Sequence, residues 1–251
     1  MSRLYFKDHI GMTNKNSFGT EMKIIDYIDR YKVLIEFQDE YKYHKYIDMA
    51  NFRKGVASNP YDKTVLNAAY IGDGEYSKER DKECYTCWHN VLIRCFDPKY
   101  KEKYPTYKDV SIVDEWLNFQ TFAKWYYDNI YCVPNERMEI DKDILFKDNK
   151  IYSPDNCVFV PRRINSLLIN NKSIRGEYPV GVDMHDGRIR ARCNTLNGSV
   201  FIGHFSTLET AFNAYKKFKE NYIKQVADEY KEKIPEKLYK ALYDFKVEVD
   251  D

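Results

Sequence analysis

Residues 138–170 read MEIDKDILFKDNKIYSPDNCVFVPRRINSLLIN and contain the most informative pattern of the chain. Residues 139–143 predict a short strand that ends in the charged cluster Asp141-Lys142-Asp143. A loop with turn residues follows, and residues 157–160 predict a second strand. Pro161 suits the first turn of a helix, because its missing N–H has no helical partner there. We therefore predict a hairpin followed by a helix over residues 162–170.

A hairpin packed on a helix brings the end of its first strand close to the first turns of that helix. Asp141 and Asn165 can meet in such an arrangement. A carboxylate and an amide oxygen form a hard-oxygen site suited to a magnesium-like ion that keeps several waters.

These residues resemble the ββα-metal core of HNH endonucleases, most closely that of the phage-type homing endonucleases. Three pieces carry the resemblance. They are Ile140-Asp141-Lys142-Asp143, Asn156-Cys157-Val158-Phe159-Val160 and Ile164-Asn165.

The resemblance implies a catalytic site. Its residues would be Asp141, Lys142, Asp143, Asn156 and Asn165, with Arg162 and Arg163 contacting DNA. By resemblance, Asp141 and Asn165 hold one Mg²⁺ or Mn²⁺ ion per active site, and Asn156 braces the loop. The general-base histidine of the family falls on Lys142, so the base is open between Lys142, Asp143, a water alone, or His89.

Residues 178–232 predict a second unit, in which three strands (179–185, 188–195 and 200–206) precede a long amphipathic helix. Asp186-Gly187 and Asn197-Gly198 favour tight hairpins between the strands. Side chains alternate along a strand, so the middle strand presents three arginines on one face. These are Arg188, Arg190 and Arg192. Their mutual repulsion predicts an anionic partner, and arginine grips both phosphate and the guanine edge.

This unit resembles the Apetala/ethylene-response-factor DNA-binding module, whose sheet lies in the major groove. The matching residues are Gly181-Val182, Arg188-Ile189-Arg190-Ala191-Arg192, Gly203-His204-Phe205, and Thr207 followed by Ala211-Phe212 and Ala214-Tyr215. The resemblance implies docking on double-stranded DNA, a known mode for sheet readers.

The rest of the chain predicts supporting structure. Period-two alternation in residues 22–24 and 33–37 predicts a small antiparallel sheet or barrel, with a further strand over residues 42–49. Residues 59–74 suggest a linker. Residues 76–132 predict two helices that cover the hairpin, separated by a loop over residues 97–109, with tryptophan and phenylalanine stripes that belong to the core.

Composition limits the classes of function. The chain has 40 basic and 39 acidic residues, so any nucleic-acid surface must be a local patch. Six scattered cysteines and the absence of a secretory start favour a cytoplasmic protein, in a bacterial host and phage- or prophage-encoded by resemblance. Cys84 and Cys87 lack a second close pair of ligands, so structural Zn²⁺ is not expected.

The sequence as a whole predicts an α+β protein with three domains. These are residues 1–62 (a small β-rich domain), 76–172 (the HNH-like core with covering helices) and 178–251 (the sheet-plus-helix module). We expect a metal-dependent DNA endonuclease that docks on duplex DNA, with no membrane association. The alternative is a catalytically inactive DNA-binding, regulatory or counter-defence protein on the same scaffold, and a host protein is a further possible partner.

Overall fold

The computed structural model describes residues 9–168 and 177–249. They form helices and several separate sheets, which confirms the α+β class. The chain divides into two compact units, Met1–Lys108 with Ile112–Lys124, and Asp109–Ser111 with Trp125–Asp251. The predicted division into three domains stays a prediction, because two compact units do not show which segments fold independently.

The first unit begins with a four-stranded antiparallel sheet in the order β1-β2-β3-β4. Its strands are β1 (Thr13–Lys15), β2 (Glu21–Asp29), β3 (Lys32–Phe37) and β4 (His44–Ile47). The alternation seen in the sequence places one side of each strand inward. The buried side chains from β2 and β3 are Met22, Ile24, Val33, Ile35 and Phe37.

The predicted third strand over residues 42–49 is shorter in the structure and gives way to a helix. Helix α1 (Met49–Lys54) starts there because the Asp48 side chain accepts a hydrogen bond from the Asn51 N–H. The helix ends at Gly55, whose φ of +69° is left-handed. A Cβ at this glycine would lie 2.5 Å from the Lys15 carbonyl oxygen, so glycine lets α1 close against β1.

The prediction that residues 59–74 form a linker is wrong. Asn59 and Asp62 are buried, as are Val65 and Ala69. Asp62 accepts hydrogen bonds from the Asn16 amide (2.7 Å) and the Thr20 hydroxyl (2.6 Å). Turn residues gave this segment the composition of a linker, but its polar groups find partners in the preceding sheet.

Helices follow, as predicted. They are α2 (Lys82–Phe96), α3 (Pro98–Lys103) and α4 (Phe119–Asn129), with 3-10 turns at Pro105–Tyr107 and Asp114–Leu117. Helix α3 lies in the segment expected to be a loop, because Asp97 caps it and Pro98 occupies its first turn. Trp88 and Trp116 are fully buried and joined by a 2.7 Å hydrogen bond from Trp88 Nε1 to the Trp116 carbonyl.

The second unit contains the predicted hairpin and helix. The hairpin strands β6 (Met138–Asp141) and β8 (Val158–Pro161) pair antiparallel, with Asp141 opposite Val158. Two short strands are β5 (Ser111–Ile112) and β7 (Ile151–Tyr152), and helix α5 (Arg162–Leu168) follows β8. The predicted last two helical residues, 169 and 170, lie outside the described residues. Trp125 and Tyr126, at the end of α4, contact Phe159 on β8 with ring centroids 5.3 and 5.2 Å apart.

The C-terminal sheet has the predicted three strands in the order β11-β10-β9. They are β9 (Val182–His185), β10 (Arg188–Thr195) and β11 (Gly198–Phe205). Helix α6 (Leu208–Tyr230) is capped by Thr207, and α7 (Glu236–Tyr243) follows Pro235.

Helix α6 serves two hydrophobic cores. Ala211 and Tyr215 pack with Ala191 of the sheet, in the cluster that lies under β10. Further along, Ile223 and Val226 pack with residues of β8 and α5. The sheet and the hairpin–helix core are therefore joined through one helix. Among the residues described, none of the helices combines the length and the apolar character needed to cross a bilayer.

Candidate functional site

Asp141 lies at the end of β6, where its carboxylate organises the turn that follows. Its Oδ1 accepts hydrogen bonds from the backbone N–H groups of Asp143 (2.9 Å) and Ile144 (2.8 Å). Burial, and after it the nearby charge of Asp143, raise the pKa of the Asp141 carboxyl to about 6, while the two N–H donors act in the opposite direction. A partly buried carboxylate beside a like charge is a group that a bound cation would stabilise.

Asn165, in α5, reaches across to β6, but the partner it contacts is Glu139. Its Nδ2 donates to Glu139 Oε2 at 2.9 Å. Glu139 and Asp141 are two residues apart on one strand and so point to the same face. The face therefore carries two carboxylates and an amide. The sequence analysis missed Glu139, although its i, i+2 spacing from Asp141 was the signal that could have identified it.

Lys142, where the resembled HNH endonucleases have a general-base histidine, is held in an ion pair. Its side chain is only 9% exposed, and its Nζ lies 2.8 Å from Asp143 Oδ2. An ammonium group that donates to a carboxylate cannot accept a proton from water. The Asp143 side chain is about half exposed. Its carboxylate neutralises the charge of the buried Lys142 ammonium at the edge of the site.

Asn156 is placed to brace the loop between the hairpin strands. Its Nδ2 donates to Asn149 Oδ1 at 3.1 Å. The amide of Asn149 in turn donates to the carbonyls of Lys142 (2.6 Å) and Ile151 (2.8 Å). The two asparagines thus connect the turn after Asp141 to the start of the second strand.

Arg162 and Arg163 begin α5 with exposed side chains. Arg162 Nε lies 3.8 Å from Glu139 Oε1, and Arg163 Nη1 lies 3.9 Å from Glu136 Oε1. Glu136 also accepts a 2.7 Å hydrogen bond from the Tyr230 hydroxyl. Arg162 thus lies beside Glu139 and Arg163 beside Glu136, and more than half of each arginine side chain is exposed to solvent.

The arginines of β10 are not left to repel one another, contrary to the expectation from the sequence. Asp183, on β9, binds two of them. Arg190 donates through Nε (2.8 Å) and Nη2 (3.0 Å), and Arg192 Nε lies 2.9 Å from the same carboxylate. The hydrogen bond from Arg190 lowers the pKa of Asp183. Asp183 therefore supplies part of the negative charge that was predicted to come from a binding partner. Arg188 stays exposed.

The same outer face carries an exposed aromatic side chain that the sequence analysis did not select. Phe201 of β11 lies opposite Arg192 in the register, and His204 lies opposite Arg190. Phe201 is 57% exposed, and its ring centroid is 5.1 Å from that of His204. Arginines, an imidazole and an apolar ring therefore share one solvent-facing surface, called here the arginine face (Asp183, Arg188, Arg190, Arg192, Phe201 and His204).

The six cysteines are free thiols in the structure. In the part of the chain that the structure describes, no group of three or more His, Cys, Asp or Glu side chains is placed to hold a metal ion. Burial raises the pKa of both Cys84 and Cys87, which opposes the thiolate form that zinc requires. Asp141, Glu139 and Asn165 offer the oxygen ligands that suit Mg²⁺ or Mn²⁺ instead.

Comparison of the whole chain with protein-family models, with curated proteins and with solved structures gives no match.

Proposed function

We propose that this protein is a metal-dependent DNA endonuclease that docks on duplex DNA through its arginine face. The observation that carries the proposal is the 2.9 Å hydrogen bond between Asn165 and Glu139. It ties helix α5 to the strand that bears Asp141, and so supports a site in which carboxylates and an amide lie on one hairpin–helix unit. This arrangement supports the HNH-like interpretation of the sequence.

In this proposal Asp141 and Asn165 hold the ion, and Glu139 fixes the Asn165 amide. A divalent ion bound there would stabilise the negative charge that develops on the phosphate and the leaving oxygen. Arg162 and Arg163 would grip the neighbouring phosphates. Because Lys142 is paired with Asp143, the proton of the attacking water passes to a carboxylate of the hairpin or to solvent.

Docking is assigned to the arginine face. Arg188 is exposed, and Arg190 and Arg192 are held in fixed positions by Asp183. Fixed guanidinium groups suit base edges and phosphates, and an apolar ring such as Phe201 suits a thymine methyl group. Double-stranded DNA is therefore the partner that this surface favours.

A second candidate function is DNA binding without cleavage, on a scaffold that has lost its nuclease activity. The pairing of the buried Lys142 with Asp143 favours it, because an ammonium replaces the imidazole of the resembled family. Such a protein would act as a regulator or counter-defence factor.

Nicking of supercoiled plasmid, with Mg²⁺, with Mn²⁺ and with chelator, separates the two functions. We expect nicking that requires the metal, and a loss of at least about 100-fold in Asp141→Asn and Asn165→Ala, since even residues that only orient metal ligands contribute 10–100-fold. Asp155→Asn, an exposed carboxylate in the same loop, is the matched control and should cut normally. An intact plasmid with every metal would exclude the nuclease and leave the DNA-binding candidate.

Lys142→His tests whether a histidine at this position is enough to restore the general base of the resembled family. A neutral imidazole can accept a proton near pH 7 where an ammonium cannot, so nicking should accelerate by ~10- to 100-fold, the lower part of the range for general-base catalysis. The rate should rise with pH through the histidine pKa. A folded variant with unchanged activity would show that position 142 does not face the reacting water.

A further inference from the structure

A cleft in the first unit has no role in the function proposed above. It has a volume of about 410 Å³ and lies between the β1–β2 turn and the end of α1. Phe18, at the tip of the turn, is 60% exposed, and Val56, just after the helix, is 63% exposed. Two large apolar side chains that face solvent in one concave surface indicate a binding site rather than a packing defect.

The walls of this cleft are cationic. Lys15 and Lys54 line it, and Lys45 donates to the hydroxyl of Ser58, another lining residue, at 2.7 Å. Among the described residues that line the cleft, none is acidic. The nearby buried carboxylate of Asp62 is already bound by Asn16 and Thr20. The charge of the cleft therefore favours an anionic occupant.

The cleft is held rigid by Asn16, at its base. The Asn16 amide donates to the Ala57 carbonyl (3.3 Å) and to Asp62, and its oxygen accepts from the N–H groups of Phe18 and Thr20 (3.0 Å each). These bonds fix the turn that carries Phe18 and fasten it to the segment after α1. The aromatic ring is thus presented on a fixed backbone.

The edge of the sheet in this region is covered, which argues against an extended peptide as the occupant. Asn14 of β1 donates to the carbonyls of Phe52 (2.7 Å) and Arg53 (3.2 Å) in α1. Gly55 packs against the Lys15 carbonyl at a distance that leaves no room even for a Cβ. A peptide could not add a strand here, whereas a nucleotide needs only a ring to stack on and cations for its phosphates.

We propose that this cleft binds single-stranded nucleic acid. A base stacks on Phe18 beside Val56, and the phosphates on either side of that base lie against Lys15, Lys54 and Lys45. The residues of this site belong neither to the hairpin–helix core nor to the arginine face.

The test is fluorescence anisotropy of the full chain with a labelled oligothymidine of about 12 nucleotides, within the usual site sizes for such proteins. Phe18→Ala should weaken binding by about 5- to 100-fold, the range that corresponds to the loss of one stacked base. Lys15→Gln and Lys54→Gln should each lower the slope of log affinity against log salt by about 0.7.

Tyr31→Ala and Lys32→Gln are the matched controls, because both residues lie at the β2–β3 turn of the same sheet and outside the cleft. Neither should change oligothymidine binding. Thermal unfolding of each variant checks the fold. Phe18→Ala should unfold near the wild-type temperature, because a side chain that is 60% exposed contributes little to stability.

Two outcomes would overturn the proposal. One is a folded Phe18→Ala protein that binds oligothymidine as well as the wild type. The other is that an acidic, aromatic peptide binds in a Phe18-dependent manner while oligothymidine does not, which would assign the cleft to a protein partner. An Arg190→Ala/Arg192→Ala protein should keep its oligothymidine affinity, so failure here is distinguishable from failure of duplex docking.

Discussion

The Asp141 carboxylate is subject to two opposing effects. The N–H groups of Asp143 and Ile144 stabilise its charge, while burial and the charge of Asp143 oppose ionisation more strongly, so its pKa rises from 3.8 to about 6. The folded state therefore binds this proton more tightly than the unfolded chain does. The contribution of this proton to the free energy of unfolding is present in full below about pH 4 and is lost as the pH rises through 6.

Asp141→Asn should therefore stabilise the protein at neutral pH. The amide oxygen can still accept both backbone hydrogen bonds, and the partly buried charge is removed. The full pKa change corresponds to about 3 kcal/mol, and we expect about 1–2 kcal/mol in the free energy of unfolding because the residue is only half-buried. Urea unfolding at neutral pH should show the gain, and at about pH 4 the gain should disappear.

Asp155→Asn serves as the control for this stability experiment also, and its unfolding should not change. If Asp141→Asn destabilised the fold at both pH values, the carboxylate would be a structural cap whose charge is needed. The expected combination of higher stability and lost nicking is the pattern of a residue retained for function.

At the scale of elements, the C-terminal sheet depends on one close approach to helix α6. Gly181 precedes β9 with φ of +74°, and a Cβ there would lie 2.1 Å from the ring of Tyr215. Gly187, in the β9–β10 turn, has almost the same φ (+71°) with no atom within 4 Å of a Cβ. Substitution of Gly187 therefore tests backbone strain alone, whereas substitution of Gly181 tests backbone strain together with packing against Tyr215.

Gly187→Ala should cost about 1–2 kcal/mol, the strain of an L-residue in the left-handed region. Gly181→Ala should cost a further ~1–3 kcal/mol, because the Tyr215 ring must move away from the sheet. Chemical denaturation of both variants measures the difference. Equal costs would mean that α6 can shift without loss, and the sheet would then be less firmly joined to the helix than the packing indicates.

At the scale of the whole molecule, net charge does not explain binding to DNA. The formal charge is only +1, so duplex affinity has to come from local faces. Asp183 complicates this, because it neutralises part of the arginine face and at the same time fixes the orientation of Arg190 and Arg192.

Arg190→Ala/Arg192→Ala should weaken duplex binding by a few kcal/mol in total, at roughly 1–3 for each good base contact. Lys217→Ala/Lys231→Ala, which removes the same charge from exposed positions outside the sheet, should have a much smaller effect. Gel-shift or anisotropy titrations at several salt concentrations measure both. Unchanged duplex affinity of the folded double arginine variant would remove docking from this strand.

Asp183→Asn should act in the opposite direction on nonspecific affinity. It removes one negative charge from the face and loosens two guanidinium groups, so binding to random duplex should strengthen and its salt slope should steepen by up to about 0.9 for each additional phosphate contact. Discrimination between sequences should fall, because the guanidinium groups lose their fixed geometry. A weaker random-duplex affinity in Asp183→Asn would show that Asp183 contributes only by orienting the arginines.

Elements with local signals could be predicted from the sequence. Alternation predicted β2 and β3 of the first sheet, the Asp-Gly and Asn-Gly pairs predicted the C-terminal hairpins, and Pro161 marked the start of α5, whereas β1 was not predicted. The positions of Asp141, Asn156 and Asn165 on strand end, loop and helix followed from the same local patterns. These signals succeed because they depend on neighbours within a few residues along the chain.

Which side chains meet follows only from the folded molecule. There Asn165 binds Glu139, Lys142 is enclosed against Asp143, Asp183 lies between two arginines, and Asp62 is tied to the β1–β2 turn. Each of these contacts depends on burial, and on a choice between several carboxylates of similar chemistry. Spacing along a chain cannot resolve that choice, because the energy of a charged pair is set by distance and solvent access in the folded molecule.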